Sequence, residues 1–150
     1  MGTSSVRILV VEDSEPFRRF TCSTLEKRPE FQIVGNVIDG LEAVERAEEL
    51  QPDLILLDIG LPTLNGIEAA RRIREISPTS KILFLSENRS ADIAEAALNT
   101  GAGGYVVKSD AASELALAVN AVLKGEQFLS ASLDGDGNLH LHTQTFGKRA

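Results

Sequence analysis

Three stretches of the chain, Val6 to Val11, Leu54 to Leu57 and Ile82 to Leu85, are apolar at nearly every position instead of at alternate ones. A strand with one solvated face alternates apolar and polar residues. A strand covered on both faces does not, and doubly covered sheets are characteristically parallel. Two weaker strands, Phe31 to Val37 and Gly104 to Val107, complete the set. Between them lie five segments with helical spacing. They are marked by Phe17, Phe20 and Leu25; by Leu41, Val44, Ala47 and Leu50; by Ile67, Ala70, Ile73 and Ile76; by Ile93, Ala97 and Leu98; and by Leu115, Ala118, Val119 and Val122. Parallel neighbours need crossover connections, and these are right-handed. The alternation therefore predicts an α/β fold, a doubly wound five-stranded parallel sheet of order 2-1-3-4-5 with helices on both faces.

Local chemistry marks the boundaries. Ser14 is placed to cap a helix with Pro16 in its first turn, Asn65 and Glu68 have capping-box spacing, and Gly101 and Gly125 suit left-handed helix ends. At 150 residues, 43% hydrophobic and 25% charged, the chain has the size of one domain, expected over residues 5–127. Residues 128–150 are too few to fold alone and are expected as a tail or a short hairpin. No apolar run is long enough to cross a bilayer and the N-terminus lacks an export signal, so a cytoplasmic location is expected. The single cysteine, Cys22, sits between Phe20 and Leu25 and reads as packing. A formal charge of −7 opposes direct nucleic-acid binding by this chain.

Open parallel sheets gather ligands beyond the carboxyl ends of their strands. There the first strand ends in Glu12-Asp13, the third in Asp58, the fourth in Ser86 and the fifth in Lys108. The first and third strands would be neighbours, so Glu12, Asp13 and Asp58 should converge. Clustered carboxylates tend to hold protons, and a hard divalent cation reverses that tendency. Mg²⁺ is the natural candidate, because it takes one or two carboxylates and keeps water and phosphate oxygens as its other ligands. A carboxylate can also be a nucleophile that forms an aspartyl phosphate. Phosphoryl transfer is mainly positioning and charge neutralisation; Lys108 supplies a fixed cation and Ser86 a hydroxyl donor. Each residue alone is more often a turn, cap or surface residue. What singles them out is the set, four strand ends with complementary roles.

The motifs Val10-Val11-Glu12-Asp13, Leu56-Leu57-Asp58-Ile59-Gly60-Leu61-Pro62 with Asn65-Gly66, Leu85-Ser86, and Gly101 to Ser109 appear in an order that resembles the receiver domains of two-component response regulators. The resemblance covers about residues 5 to 127. It implies a flavodoxin-like fold in which Asp58 accepts phosphate from a sensor histidine kinase, a phosphotransfer protein or a small phosphodonor. It further implies that Asp13, Asp58 and the Gly60 carbonyl ligate the metal, with Glu12 acting through water. Ser86 and Tyr105 would be the switch pair, and the fourth helix, fifth strand and fifth helix the output face. The Gly101 to Tyr105 run and the Ser109-Asp110 pair after Lys108 are most similar to the subfamily that carries a C-terminal helix-turn-helix DNA-binding domain and regulates transcription. Two positions depart from the family pattern: Glu87 follows Ser86 where a small residue is usual, and Ser109 follows Lys108 where proline is common.

Competing signals are weaker. Asp134, Asp136 and Asn138 imitate an EF-hand loop, but Leu139 holds the glycine position and Thr145 that of the bidentate glutamate. His140 and His142 alternate without a third ligand nearby. The glycines from Gly101 to Gly104 precede a strand, where a dinucleotide loop would follow one. The leading reading is a signalling domain rather than a turnover enzyme. The alternatives are a phosphorylation-independent docking or dimerisation module and a Mg²⁺-dependent phosphatase, which would want an acid at Gly60. The small and apolar residues of the fifth helix can serve a homodimer as well as the core.

Overall fold

The structure is a computed structural model that describes residues 5–133. The elements run β1 (Val6–Val11), α1 (Glu15–Glu26), β2 (Phe31–Val37), α2 (Gly40–Leu50), β3 (Leu54–Asp58), α3 (Gly66–Ile76), β4 (Lys81–Ser86), α4 (Ala91–Leu98), β5 (Gly104–Val107), α5 (Ala111–Leu123) and β6 (Phe128–Leu129). One 3₁₀ turn, Lys108–Asp110, joins β5 to α5. The strands form a single sheet of order β2-β1-β3-β4-β5-β6, parallel at every pairing.

The expected order holds, with one correction. The sheet has a sixth strand, Phe128–Leu129, on the outer edge of β5, so the segment expected as a tail begins inside the fold. Two residues between polar neighbours carry no strand periodicity, and tertiary contact at the edge of β5 orders them. The expected hairpin, the EF-hand imitation and the histidine pair, from Asp134 onward, lie outside the described residues.

Strand residues alternate between two cores because successive side chains point to opposite faces. Leu9, Val11, Ile55, Leu57, Phe84 and Tyr105 face α2, α3 and α4. Ile8, Val10, Leu54, Leu56, Leu85 and Val106 face α1 and α5. On α2 the contact falls to Ala43 and Ala47, while Leu41, expected on the buried stripe, is 40% exposed. Cys22 is half-buried and its thiol donates to Asn36 Oδ1 at 3.3 Å.

The caps set the loops that carry the chemistry. Ser14 Oγ accepts from Phe17 N, and Asn65 Oδ1 accepts from Ile67 N and Glu68 N. Asp39 and Ser90 cap α2 and α4 in the same way. Gly101 and Gly125 take the positive φ values expected of them, 99° and 85°.

Candidate functional site

The carboxyl ends of β1 and β3 lie side by side, with Val11 paired to Leu57. Glu12 and Asp58 therefore leave the sheet together. Glu12 is 2% exposed, Asp58 is 6% exposed and Asp13 is open to solvent. One carboxylate oxygen from each of the three lies within 4.8 Å of the others. Lys108 follows β5 and reaches across: its Nζ is 3.0 Å from Glu12 Oε2 and 3.4 Å from Asp58 Oδ2. The ammonium also sits 4.7 Å from the centroid of the Phe17 ring, within cation–π range.

Helix α1 holds the acidic end of β1 in place. Ser14 N donates to Glu12 Oε2 at 3.0 Å, and the Arg18 guanidinium donates to the Glu12 carbonyl at 2.9 Å. Burial pushes the Glu12 carboxyl up to about 7 even though bonds from Lys108 and Ser14 pull it down; the charge of Asp58 adds to the rise. Burial opposes the charge of Lys108, but its bond to Glu12 and the charges of Asp58 and Glu12 outweigh this and raise it above the usual lysine range. Glu12 Oε1 is buried and has no hydrogen-bond partner.

Asp58 is held more loosely. Among the described residues, its side chain takes, besides the bond from Lys108, a long one from Gly60 N to Oδ1, 3.4 Å. The loop after it folds back through Gly66 N to the Ile59 carbonyl, 2.8 Å. Gly66 packs so closely that a Cβ there would fall 2.0 Å from the Asp58 carbonyl oxygen. A cleft of about 490 Å³ opens above Asp58, lined by Asp13, Gly60, Ser86, Glu87, Asn88 and Lys108 among others.

Ser86 ends β4 and is buried; its Oγ accepts from Asn88 N at 3.0 Å. Tyr105, paired in register with Phe84, is fully buried, and its hydroxyl donates to the Asn88 carbonyl at 2.8 Å. Burial raises the phenol above its usual range. Asn88 thus touches both residues of the expected switch pair.

The response regulator receiver domain family matches residues 8–120 of this chain. The chain belongs to that family. The receiver domain is 36% identical over 129 residues to the transcriptional regulatory protein DegU of Brevibacillus brevis, covering 86% of this chain and 55% of DegU. It is 33% identical over 126 residues to the nitrate/nitrite response regulator protein NarL of Escherichia coli, covering 84% of this chain and 58% of NarL. It thus spans little more than half the length of these curated relatives. Among solved structures, a LuxR-family two-component response regulator from Aurantimonas superposes with a TM-score of 0.81 at 32% identity, covering 93% of this chain and 98% of that one.

The receiver fold brings Asp13, Asp58, Gly60, Ser86 and Lys108 to one cleft, buries Glu12 beside Asp58 and Lys108, and ties Tyr105 to the loop after β4. Sequence reasoning missed three contributors. Phe17 was read only as a core residue of α1, yet its ring lies against Lys108. Arg18 carries no motif signal, yet it bonds the Glu12 carbonyl. Asn88 had a signal in Asn88-Arg89-Ser90, where Asn88 Oδ1 accepts from Ser90 N at 2.9 Å in an Asx turn.

Proposed function

We propose that this receiver domain accepts a phosphoryl group on Asp58 and passes the change to an output surface. The reading rests on one observation, the convergence of three strand-end carboxylates and Lys108 on a cleft open to a donor. An Asp58 carboxylate oxygen forms the bond to phosphorus while the bond between phosphorus and the donor breaks, its electron pair leaving with the donor imidazole or acyl oxygen. Lys108 is placed to pair with the phosphoryl oxygens, and Ser86 exchanges its bond from Asn88 N for donation to one of them.

The donor set fits Mg²⁺: clustered hard oxygens, a mostly buried site and an unpartnered Glu12 Oε1 suited to a metal-bound water. Asp13, Asp58 and the Gly60 carbonyl would hold the ion, with Glu12 one water away. When bound, Mg²⁺ supplies positive charge to the phosphoryl oxygens and keeps the carboxylates ionised.

The donor is a histidine kinase or phosphotransfer protein of the cytoplasm, and the receiver turns over no substrate of its own. Tyr105, tied to Asn88, links the loop after Ser86 to β5, so α4, β5 and α5 form the output face. The relatives named as transcriptional regulatory proteins support an output in transcription. Transfer of label from a phosphorylated histidine-kinase domain tests the reading. Wild type is expected to take hydroxylamine-sensitive label and Asp58→Asn to take none; equal labelling of both overturns it.

A further inference from the structure

The edge of β5, part of the output face proposed above, is occupied by the chain's own residues 128–133. Backbone pairing is parallel, with Phe128 N donating to Gly103 O at 3.1 Å and Ser130 N to Tyr105 O at 3.0 Å. Ser130 is 5% exposed, and its hydroxyl is used twice: it accepts from Val107 N at 2.8 Å and donates to Glu114 Oε1 at 2.5 Å. Glu114 Oε2 accepts from Ala131 N at 3.1 Å. Asp110 Oδ2 accepts from both Ser132 N, at 3.2 Å, and Ser132 Oγ, at 2.6 Å. Leu129 and Leu133 pack against the core on the α2–α4 side.

A two-residue strand is marginal by itself. Here two carboxylates, one before α5 and one in its first turn, take four bonds from three consecutive residues, and charge-assisted bonds are the stronger kind. The segment is held by side chains and not only by the ladder. Its anchoring atoms are those of the switch strand. Ser130 bonds to the backbone of Tyr105 and Val107, and the next residue is Lys108, whose ammonium lies on Asp58.

We propose that residues 128–133 form a strap that docks on the β5 edge through Asp110 and Glu114 and loosens when Asp58 is phosphorylated. The loosening rests on the phosphoacceptor reading; the docking does not. An added dianion at Asp58 pulls Lys108 toward it and carries the end of β5 with it. The Val107–Ser130 and Ser130–Glu114 bonds, both short and both dependent on one hydroxyl, are the first to lengthen. The strap thereby transmits the state of the cleft to the residues that follow Leu133.

Residue-resolved amide exchange on the full 150-residue chain decides both parts. Without donor, the Val107, Ala131 and Ser132 amides are expected to be protected. Ser130→Ala should speed exchange at Val107 by about fivefold, the factor for one lost neutral bond, and Glu114→Ala at Ala131 by about tenfold, the factor for a charge-assisted one. The Leu56 and Leu85 amides serve as the fold control. Free-peptide exchange at Ala131 and Ser132 in wild type overturns the docked strap. With acetyl phosphate and Mg²⁺, and phosphorylation confirmed by intact mass, exchange at Ala131 and Ser132 is expected to rise at least about threefold, or roughly 0.6 kcal/mol by the ratio arithmetic of equilibria. Phosphoryl addition with unchanged or slower exchange overturns the coupling. Absence of any addition removes the phosphoacceptor reading and the coupling together, and leaves the docked strap to be judged on the first arm.

Discussion

The hydroxyl of Tyr105 donates to the main-chain carbonyl of Asn88 across 2.8 Å, joining β5 to the loop that follows β4. The bond matters because Ser86 accepts from the amide of the same Asn88. A displacement of Ser86 toward a phosphoryl group therefore releases the amide of the residue whose carbonyl Tyr105 holds. Tyr105→Phe keeps the buried ring and deletes the hydroxyl that makes this bond. It is expected to destabilise the fold by about 1 kcal/mol and to speed amide exchange around Asn88, with labelling of Asp58 retained. Urea denaturation and phosphodonor labelling check the two halves; loss of labelling would show the hydroxyl to be part of the chemistry.

Gly66 is the tightest point beneath the acceptor. A methyl group at Gly66 would meet the backbone of Asp58 and Ile59, whereas one at Gly60 would meet nothing within 4 Å. Gly66→Ala is expected to cost about 3 kcal/mol, the upper end for overpacking, and Gly60→Ala less than about 1 kcal/mol. Denaturant midpoints of the two variants beside wild type check the contrast; equal midpoints would mean that the loop after β3 yields freely.

Much of this is legible in the sequence. Doubly covered strands read as apolar runs, so β1, β3 and β4 stood out, and the strand order put Glu12, Asp13 and Asp58 together by topology alone. What stayed hidden depends on tertiary contact. The strand Phe128–Leu129 exists because β5 offers a free edge and Glu114 and Asp110 face it. Leu41 breaks the apolar stripe of α2, whose buried face is carried by the small residues Gly40, Ala43 and Ala47. Phe17 fits a core stripe as well as a cation–π contact, and periodicity alone cannot tell the two apart.

Asp13 is the exposed member of the acidic cluster, so its removal should affect the cation and not the fold. Asp13→Asn is expected to weaken Mg²⁺ binding by at least roughly tenfold, the lower end for a disturbed metal site, at an unchanged denaturation midpoint. Calorimetric titration with MgCl₂ checks it. Undiminished affinity would place the ion elsewhere.

Burial raises the Cys22 thiol above its usual range; the bond to Asn36 pulls against this, and neighbouring Glu26 adds to the rise. A raised thiol pKa means less thiolate at any given pH, and the thiolate is the nucleophile. Alkylation by iodoacetamide at pH 8 is therefore expected to be slower in the native protein than in urea. Its pH midpoint should lie above that of the unfolded chain. Native reactivity equal to that in urea would contradict the packing role given to Cys22.

The most direct test of the central claim is intact mass after incubation with acetyl phosphate, with and without Mg²⁺, for wild type and Asp58→Asn. The account predicts a single phosphoryl addition to wild type that requires Mg²⁺ and is absent from the variant. An addition that persists in Asp58→Asn, or that ignores Mg²⁺, would contradict it.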